Sequence, residues 1–220
     1  MQLFLDSAKL DEINYALEVW NLDGLTTNPR HVQQSGKPFR RLIEEIARLF
    51  EGTHKPVSVE VDPHLTDWQD MVEAGVELAQ MSPSFVIKVG ASEAGFRALR
   101  ELASRRVRTN ATLVFSAAQA WHAMRCGVAY VSPFVGWKEA HGDEAGSLVP
   151  DILRIRDNYS YPTRVLAAAM RNSRQLVAAA LAGADCVTAA MSVYQESFAH
   201  PYTDAGAELF RRAWDATPRD

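Results

Sequence analysis

Lys88 stands where an ammonium is hard to accommodate. Phe85-Val86-Ile87-Lys88-Val89-Gly90 reads as a short buried strand, whereas Lys9, Lys37, Lys55 and Lys138 lie in polar or turn-rich stretches. Desolvation disfavours a charged amine and favours its nucleophilic form, which imine chemistry on a carbonyl substrate requires. The plain alternative is a strand-end lysine that snorkels to solvent or completes a structural ion pair. Other polar residues fall at comparable strand ends: Asp6, Thr27 with Asn28, Glu60, Asn110 with Thr112, Ser132, and Arg171 just beyond one. Singly, each has a modest explanation. Asp6 can cap a helix, Thr27 and Asn28 can make a turn before Pro29, and Ser132 can belong to a loop. Around one lysine they describe coherent chemistry. An imine turns a ketose into an electron sink, so the bond between its third and fourth carbons can break. Asp6 suits the base for the hydroxyl that becomes an aldehyde. Glu60 and Thr112 suit an ordered water that moves protons during imine formation, and Asn28 and Asn110 suit the retained hydroxyls.

These residues need elements that end together. Strand-like runs recur at 2–6, 22–27, 57–61, 85–90, 107–113, 129–132, 164–168 and 185–188. Helical patterns fall at 7–18 (with Ser7 as N-cap), 38–50, 66–80, 93–104, 116–125 and 172–182. Another helix ends near 157 after a polar loop at 138–146, and a last one spans 204–216 with no strand after it. Eight alternating units predict one α/β domain over 1–220, a closed (β/α)8 TIM barrel with an extra C-terminal helix. In that fold the strand ends share one rim. An open doubly wound sheet is the alternative. It is disfavoured because Asp6-Ser7-Ala8-Lys9 has no glycine where a nucleotide-binding turn would sit.

Composition narrows the partners. With 47% hydrophobic and 23% charged residues over 220 positions, the chain has enough apolar content for a sizeable core. A net charge of -4 leaves no basic footprint for nucleic acid. No apolar run approaches the roughly 20 residues of a membrane span, and no charged leader precedes the first strand, so a cytoplasmic protein is expected. Cys126 and Cys186 lack metal-ligand spacing and read as free thiols, and the six histidines form no ligand pair, so neither a metal nor another cofactor is expected.

Several segments also match a family. Phe4-Leu5-Asp6, Gly24-Leu25-Thr26-Thr27-Asn28-Pro29, Val57-Ser58-Val59-Glu60-Val61 and Val86-Ile87-Lys88 resemble the transaldolases. So do the segments 109–120 and Val131-Ser132-Pro133-Phe134-Val135-Gly136. The length resembles the small subfamily that includes fructose-6-phosphate aldolase. The resemblance implies Lys88 as the Schiff-base residue, Asp6 as acid/base, and Glu60 with Thr112 holding the catalytic water. It also implies a pentamer or decamer in which the helix at 204–216 packs on a neighbour. The aldolase branch has glutamine and tyrosine where this chain has Glu60 and Phe134, so the chain resembles the transferase branch. It departs from both branches at the substrate's far end. Trp137 replaces a phosphate-binding arginine, Arg30 replaces a serine after Asn28-Pro29, and Arg171-Asn172 is kept. These stretches resemble the transaldolases of sulfosugar breakdown. The implied reaction moves dihydroxyacetone from 6-deoxy-6-sulfofructose to an aldose phosphate and releases 3-sulfolactaldehyde. The alternatives are a phosphosugar transaldolase or fructose-6-phosphate aldolase, and a non-catalytic sugar-binding barrel.

Overall fold

The computed structural model describes residues 1–218. Eight strands close in chain order into a parallel barrel: β1 (Gln2–Asp6), β2 (Gly24–Thr26), β3 (Val57–Glu60), β4 (Phe85–Gly90), β5 (Thr109–Val114), β6 (Tyr130–Pro133), β7 (Arg164–Met170) and β8 (Cys186–Ala189). β8 pairs with β1 to complete the ring. Among the described residues there are eleven helices. They are α1 (Leu10–Val19), α2 (Pro29–Ser35), α3 (Phe39–Leu49), α4 (Trp68–Met81), α5 (Glu93–Ser104), α6 (Ala117–Arg125), α7 (Val135–Ala140), α8 (Leu148–Asn158), α9 (Ser173–Ala182), α10 (Met191–Phe198) and α11 (Pro201–Asp215). None is long and apolar enough to cross a membrane.

Strand periodicity of two builds both the core and the site. One set of strand residues, including Leu5, Leu25, Val57, Val59, Ile87, Val89, Val131 and Val165, packs outward under the helices. The alternate set fills the barrel floor with Phe4, Val86, Tyr130, Leu166 and Cys186. Two residues further along the same strands stand Asp6, Lys88, Ser132, Ala168 and Thr188. An apolar plug therefore supports a polar layer at the strands' C-terminal ends. That is where a barrel of this class carries its chemistry.

Three helices depart from the expected pattern. α2 begins where Asn28-Pro29 reads as a break, because Asn28 is its N-cap and Pro29 occupies the first turn. α7 occupies the start of the expected polar loop; its six residues are too short to show a helical period. α10 is the barrel's eighth helix, tied down by the Tyr194 hydroxyl, which donates to the Phe4 carbonyl at 2.8 Å. α11 is the additional C-terminal helix, and none of its residues is buried.

Candidate active site

Lys88 points into the barrel mouth and is only 4% exposed. Its ammonium donates to the Thr27 carbonyl at 2.9 Å and lies 3.5 Å from a Glu60 carboxylate oxygen. Register explains the second contact, because Glu60 and Lys88 are direct partners across β3 and β4. On the other side Lys88 pairs with Asn110 of β5. The Asn110 amide nitrogen donates to the Ser58 hydroxyl at 3.1 Å, and its oxygen accepts from the Ser132 hydroxyl at 2.8 Å. That network fixes the floor beside the amine.

Asp6 sits across the mouth. The Thr26 hydroxyl donates to its Oδ1 at 2.7 Å, so the Thr188 hydroxyl, 2.6 Å from Thr26, must donate in turn. Burial alone would raise the Asp6 carboxyl. The His31 imidazole, the Lys88 ammonium and the Thr26 hydroxyl together outweigh that effect and hold it below the ordinary aspartate range.

One cavity of about 520 Å³ contains nine of the twelve expected site residues: Asp6, Asn28, Arg30, Glu60, Lys88, Ser132, Phe134, Trp137 and Arg171 all line it. Thr27, Asn110 and Thr112 do not. Thr27 and Asn110 are buried in the barrel wall, with the Thr27 hydroxyl spent on the Ser58 carbonyl. Thr27 serves Lys88 through its backbone. Thr112 is buried and its hydroxyl has no partner among the described residues.

Two strand ends are shaped alike. Leu113 in β5 and Ala169 in β7 both take a φ of 57°, and the pairing register shifts around each. Left-handed backbone at a non-glycine residue is strained, and such bulges re-aim the chain beside active sites. After each bulge a glutamine three residues past the helix N-cap accepts a backbone N–H. Gln119 takes that of Phe115 at 2.8 Å, and Gln175 takes that of Arg171 at 2.7 Å. The second arrangement sets Arg171 at the mouth. Gly136 completes this side, because a β-carbon there would lie 2.3 Å from the Ala169 carbonyl oxygen and 3.0 Å from Arg171. Only glycine lets α7 approach β7 so closely.

The outer mouth is aromatic and cationic. Phe115, Phe134 and Trp137 form a cluster with ring centroids 5.6 to 6.1 Å apart. The His141 Nδ1 lies 2.8 Å from the Trp137 carbonyl, which can only accept, so Nδ1 carries the proton and Nε2 accepts from the Trp137 indole at 3.3 Å. Arg30 and Arg171 are exposed on the same cavity, and among the described residues neither guanidinium has an ion-pair partner. No cluster of metal-ligating side chains occurs among the described residues.

Several lining residues escaped the sequence reading. Thr26 and Thr188 orient Asp6 but look like ordinary strand threonines. His31 lies 3.4 Å from Asp6, placed there by the short helix that Asn28 caps, which the sequence reading took for a break. Gln34, one turn further, also reaches the cavity.

A barrel whose C-terminal rim gathers a buried lysine, two carboxylates and two guanidiniums has the make-up of a (β/α)8 enzyme with its active site at the strand ends. Residues 3–218 match the Transaldolase/Fructose-6-phosphate aldolase family, and the chain is an enzyme of that family. It is 50% identical over 218 residues to the 6-deoxy-6-sulfo-D-fructose transaldolase of Priestia megaterium, covering 99% of this chain and 96% of that protein. The same figures hold for the protein of that name from Priestia aryabhattai. A probable transaldolase of Dictyoglomus turgidum is 40% identical over 219 residues, covering all of both chains.

Proposed function

We propose that the protein transfers a dihydroxyacetone unit from 6-deoxy-6-sulfofructose to an aldose phosphate, through an imine on Lys88. The Lys88 amine adds to the ketose carbonyl. Glu60, 3.5 Å away, and Thr112, whose hydroxyl is free to donate and accept, serve the water that carries protons as the carbinolamine dehydrates. Asp6 then takes the proton of the hydroxyl on the fourth carbon. The bond between the third and fourth carbons breaks, its electrons pass into the iminium, and 3-sulfolactaldehyde leaves. The enamine attacks the acceptor carbonyl, Asp6 returns the proton, and water releases the new ketose.

The observation that carries the donor assignment is the cavity mouth: Arg30 and Arg171, whose guanidiniums have no ion-pair partner among the described residues, line it together with the Trp137 ring. A sulfonate holds one charge and three acceptor oxygens, whereas a phosphate holds nearly two charges. One cation fewer in contact suits the sulfonate, and the likeness to the Priestia enzymes points the same way. The test is product analysis with 6-deoxy-6-sulfofructose and with fructose 6-phosphate as donors and glyceraldehyde 3-phosphate as acceptor. Sulfofructose should be preferred. Borohydride should fix the donor's three-carbon unit on the peptide bearing Lys88, and Lys88→Ala should abolish the adduct. A preference for fructose 6-phosphate would leave a phosphosugar transaldolase, and no adduct at all would refute the imine on Lys88.

α11 supports assembly of several copies. Tyr202, Leu209, Phe210 and Trp214 are all at least 64% exposed on a helix with no buried residue. Covering them on a neighbouring subunit removes apolar surface from water. Light scattering should give a pentamer or decamer, and a monomer would rule this out.

A further inference from the structure

The imidazole of His31 occupies a position that the catalytic scheme does not use. It lies on α2, is 16% exposed as a side chain, and its Nδ1 faces two groups at once. The Asp6 Oδ1 is 3.4 Å away and the Asn28 amide nitrogen 3.1 Å away. These contacts exclude one another. The Asn28 oxygen already accepts from the His31 backbone N–H at 3.0 Å, so the amide turns its N–H groups to Nδ1 and needs a lone pair there. The Asp6 carboxylate needs a proton there. A bare Nδ1, as in the neutral Nε2–H tautomer, satisfies Asn28, and an Nδ1–H satisfies Asp6, most strongly when the ring is an imidazolium.

The two residues also form a partition. Asp6, His31, Gln34 and Ala190 line both the substrate cavity and a separate cavity of about 330 Å³. The smaller one is walled further by Ser7, Lys9, Glu12, Ser192 and Gln195. Lys88 lines the first cavity and not the second, so a ketose held on it leaves the second open.

We propose that His31 is a positioning residue for Asp6: as imidazolium it pairs with the carboxylate that accepts the substrate proton, and as neutral imidazole it turns to Asn28 once Asp6 holds that proton. The inference rests on Asp6 being the acid/base. Cleavage moves the hydroxyl proton to Asp6, and His31 then gives its Nδ1 proton to solvent water that enters through the side cavity. When the acceptor adds, Asp6 returns its proton to the new hydroxyl and His31 takes one up. The pair is net neutral before and after, so the field at the Lys88 imine stays steady while Asp6 changes charge.

Other charged groups face the pair. Lys88 on β4 and Glu60 on β3 line the shared cavity, Lys9 and Glu12 stand at the start of α1, Arg30 precedes His31 on α2, and Tyr194 on α10 lies behind Asp6. Lys9 and Glu12 neutralise each other at 3.1 Å, as do Lys88 and Glu60 at 3.5 Å. His31 is thus the basic side chain left in direct contact with Asp6, at 3.4 Å.

The test is the pH profile of kcat/KM for wild type, His31→Phe, His31→Asn and Asp6→Asn, with whichever donor the wild type turns over. His31→Phe should move the acidic limb up by about one pH unit or more, since it removes the opposite charge beside Asp6. His31→Asn returns an N–H near the Nδ1 position without charge and should recover part of that shift. A structural role alone would lower the rate at every pH and leave the limb in place. An unmoved limb in both His31 variants, with Asp6→Asn inactive, overturns this inference and spares the catalytic scheme. An active Asp6→Asn overturns both. Should His31→Phe fail to fold, the limb in His31→Asn decides: a limb equal to wild type overturns the proposal.

Discussion

Changing Trp137 to arginine puts the donor assignment under the most direct strain. Trp137 is 43% exposed at the mouth of the cavity, and its indole N–H is already given to His141. The ring therefore offers a sugar's terminal anion an apolar wall. Arginine at 137 would add a third guanidinium beside Arg30 and Arg171. A hydrogen bond to a charged group is worth about 1.5–3 kcal/mol, and about 1.4 kcal/mol is a factor of ten. The ratio of kcat/KM for fructose 6-phosphate over 6-deoxy-6-sulfofructose should rise by roughly ten- to a hundredfold. The phosphate gains more because it carries nearly twice the charge. Losing the ring also breaks contacts with Phe115 and Phe134, so Trp137→Leu is measured alongside as the control for packing alone. Paired initial rates with both donors and one acceptor read the ratio directly. If leucine shifts it as far as arginine does, charge is not what position 137 controls.

Glu60→Gln keeps the side chain's shape but removes the proton carrier 3.5 Å from Lys88. Formation of the borohydride-trapped adduct should slow on the order of a hundredfold with KM little changed, and wild-type turnover would refute the water-holding role. Gly136→Ala drives a β-carbon to 2.3 Å from the Ala169 oxygen, so urea unfolding should show a loss of about 1–3 kcal/mol; an unchanged midpoint would mean that α7 can move aside freely. Burial pushes the Cys186 thiol up from 9.0 to about 12. The unfolded chain releases that proton near 9 while the folded one keeps it, so stability should fall as pH rises from 9 to 12, with a flatter slope in Cys186→Ala. An identical slope in that variant would assign the alkaline loss to other groups.

The barrel was legible because each strand is a buried run bounded by polar residues, and eight of them alternate with helical periods. The lysine was legible for the same reason in reverse, as the one ammonium inside such a run. What stayed hidden were elements too short for a period to show. α2 and α7 have seven and six residues, so Asn28-Pro29 looked like a stop when it is an N-cap followed by a helix-starting proline. The bulges at Leu113 and Ala169 were hidden too, since neither is a glycine that would announce a left-handed turn. Each lengthened a strand beyond its expected end, β5 to Val114 and β7 to Met170.

The hidden short elements are the ones that build the outer wall of the cavity. Strand register alone fixes Asp6, Glu60, Lys88, Asn110 and Ser132, because the alternation that buries Phe4, Val86 and Tyr130 must turn the next inward residues to the mouth. In the proposed reaction those positions serve the reacting carbons. Arg30 and His31 ride on α2, Trp137 on α7, and Arg171 follows the β7 bulge. Such pieces contribute little to the core: α2 buries none of its residues, and α7 buries only Val135 and Gly136. Substitutions there can change what the enzyme binds at modest stability cost, whereas Lys88 and its neighbours cannot move without disturbing the barrel's inner layer. Gly136 is the point where the two constraints meet, a residue of the variable rim with no space for even one added carbon.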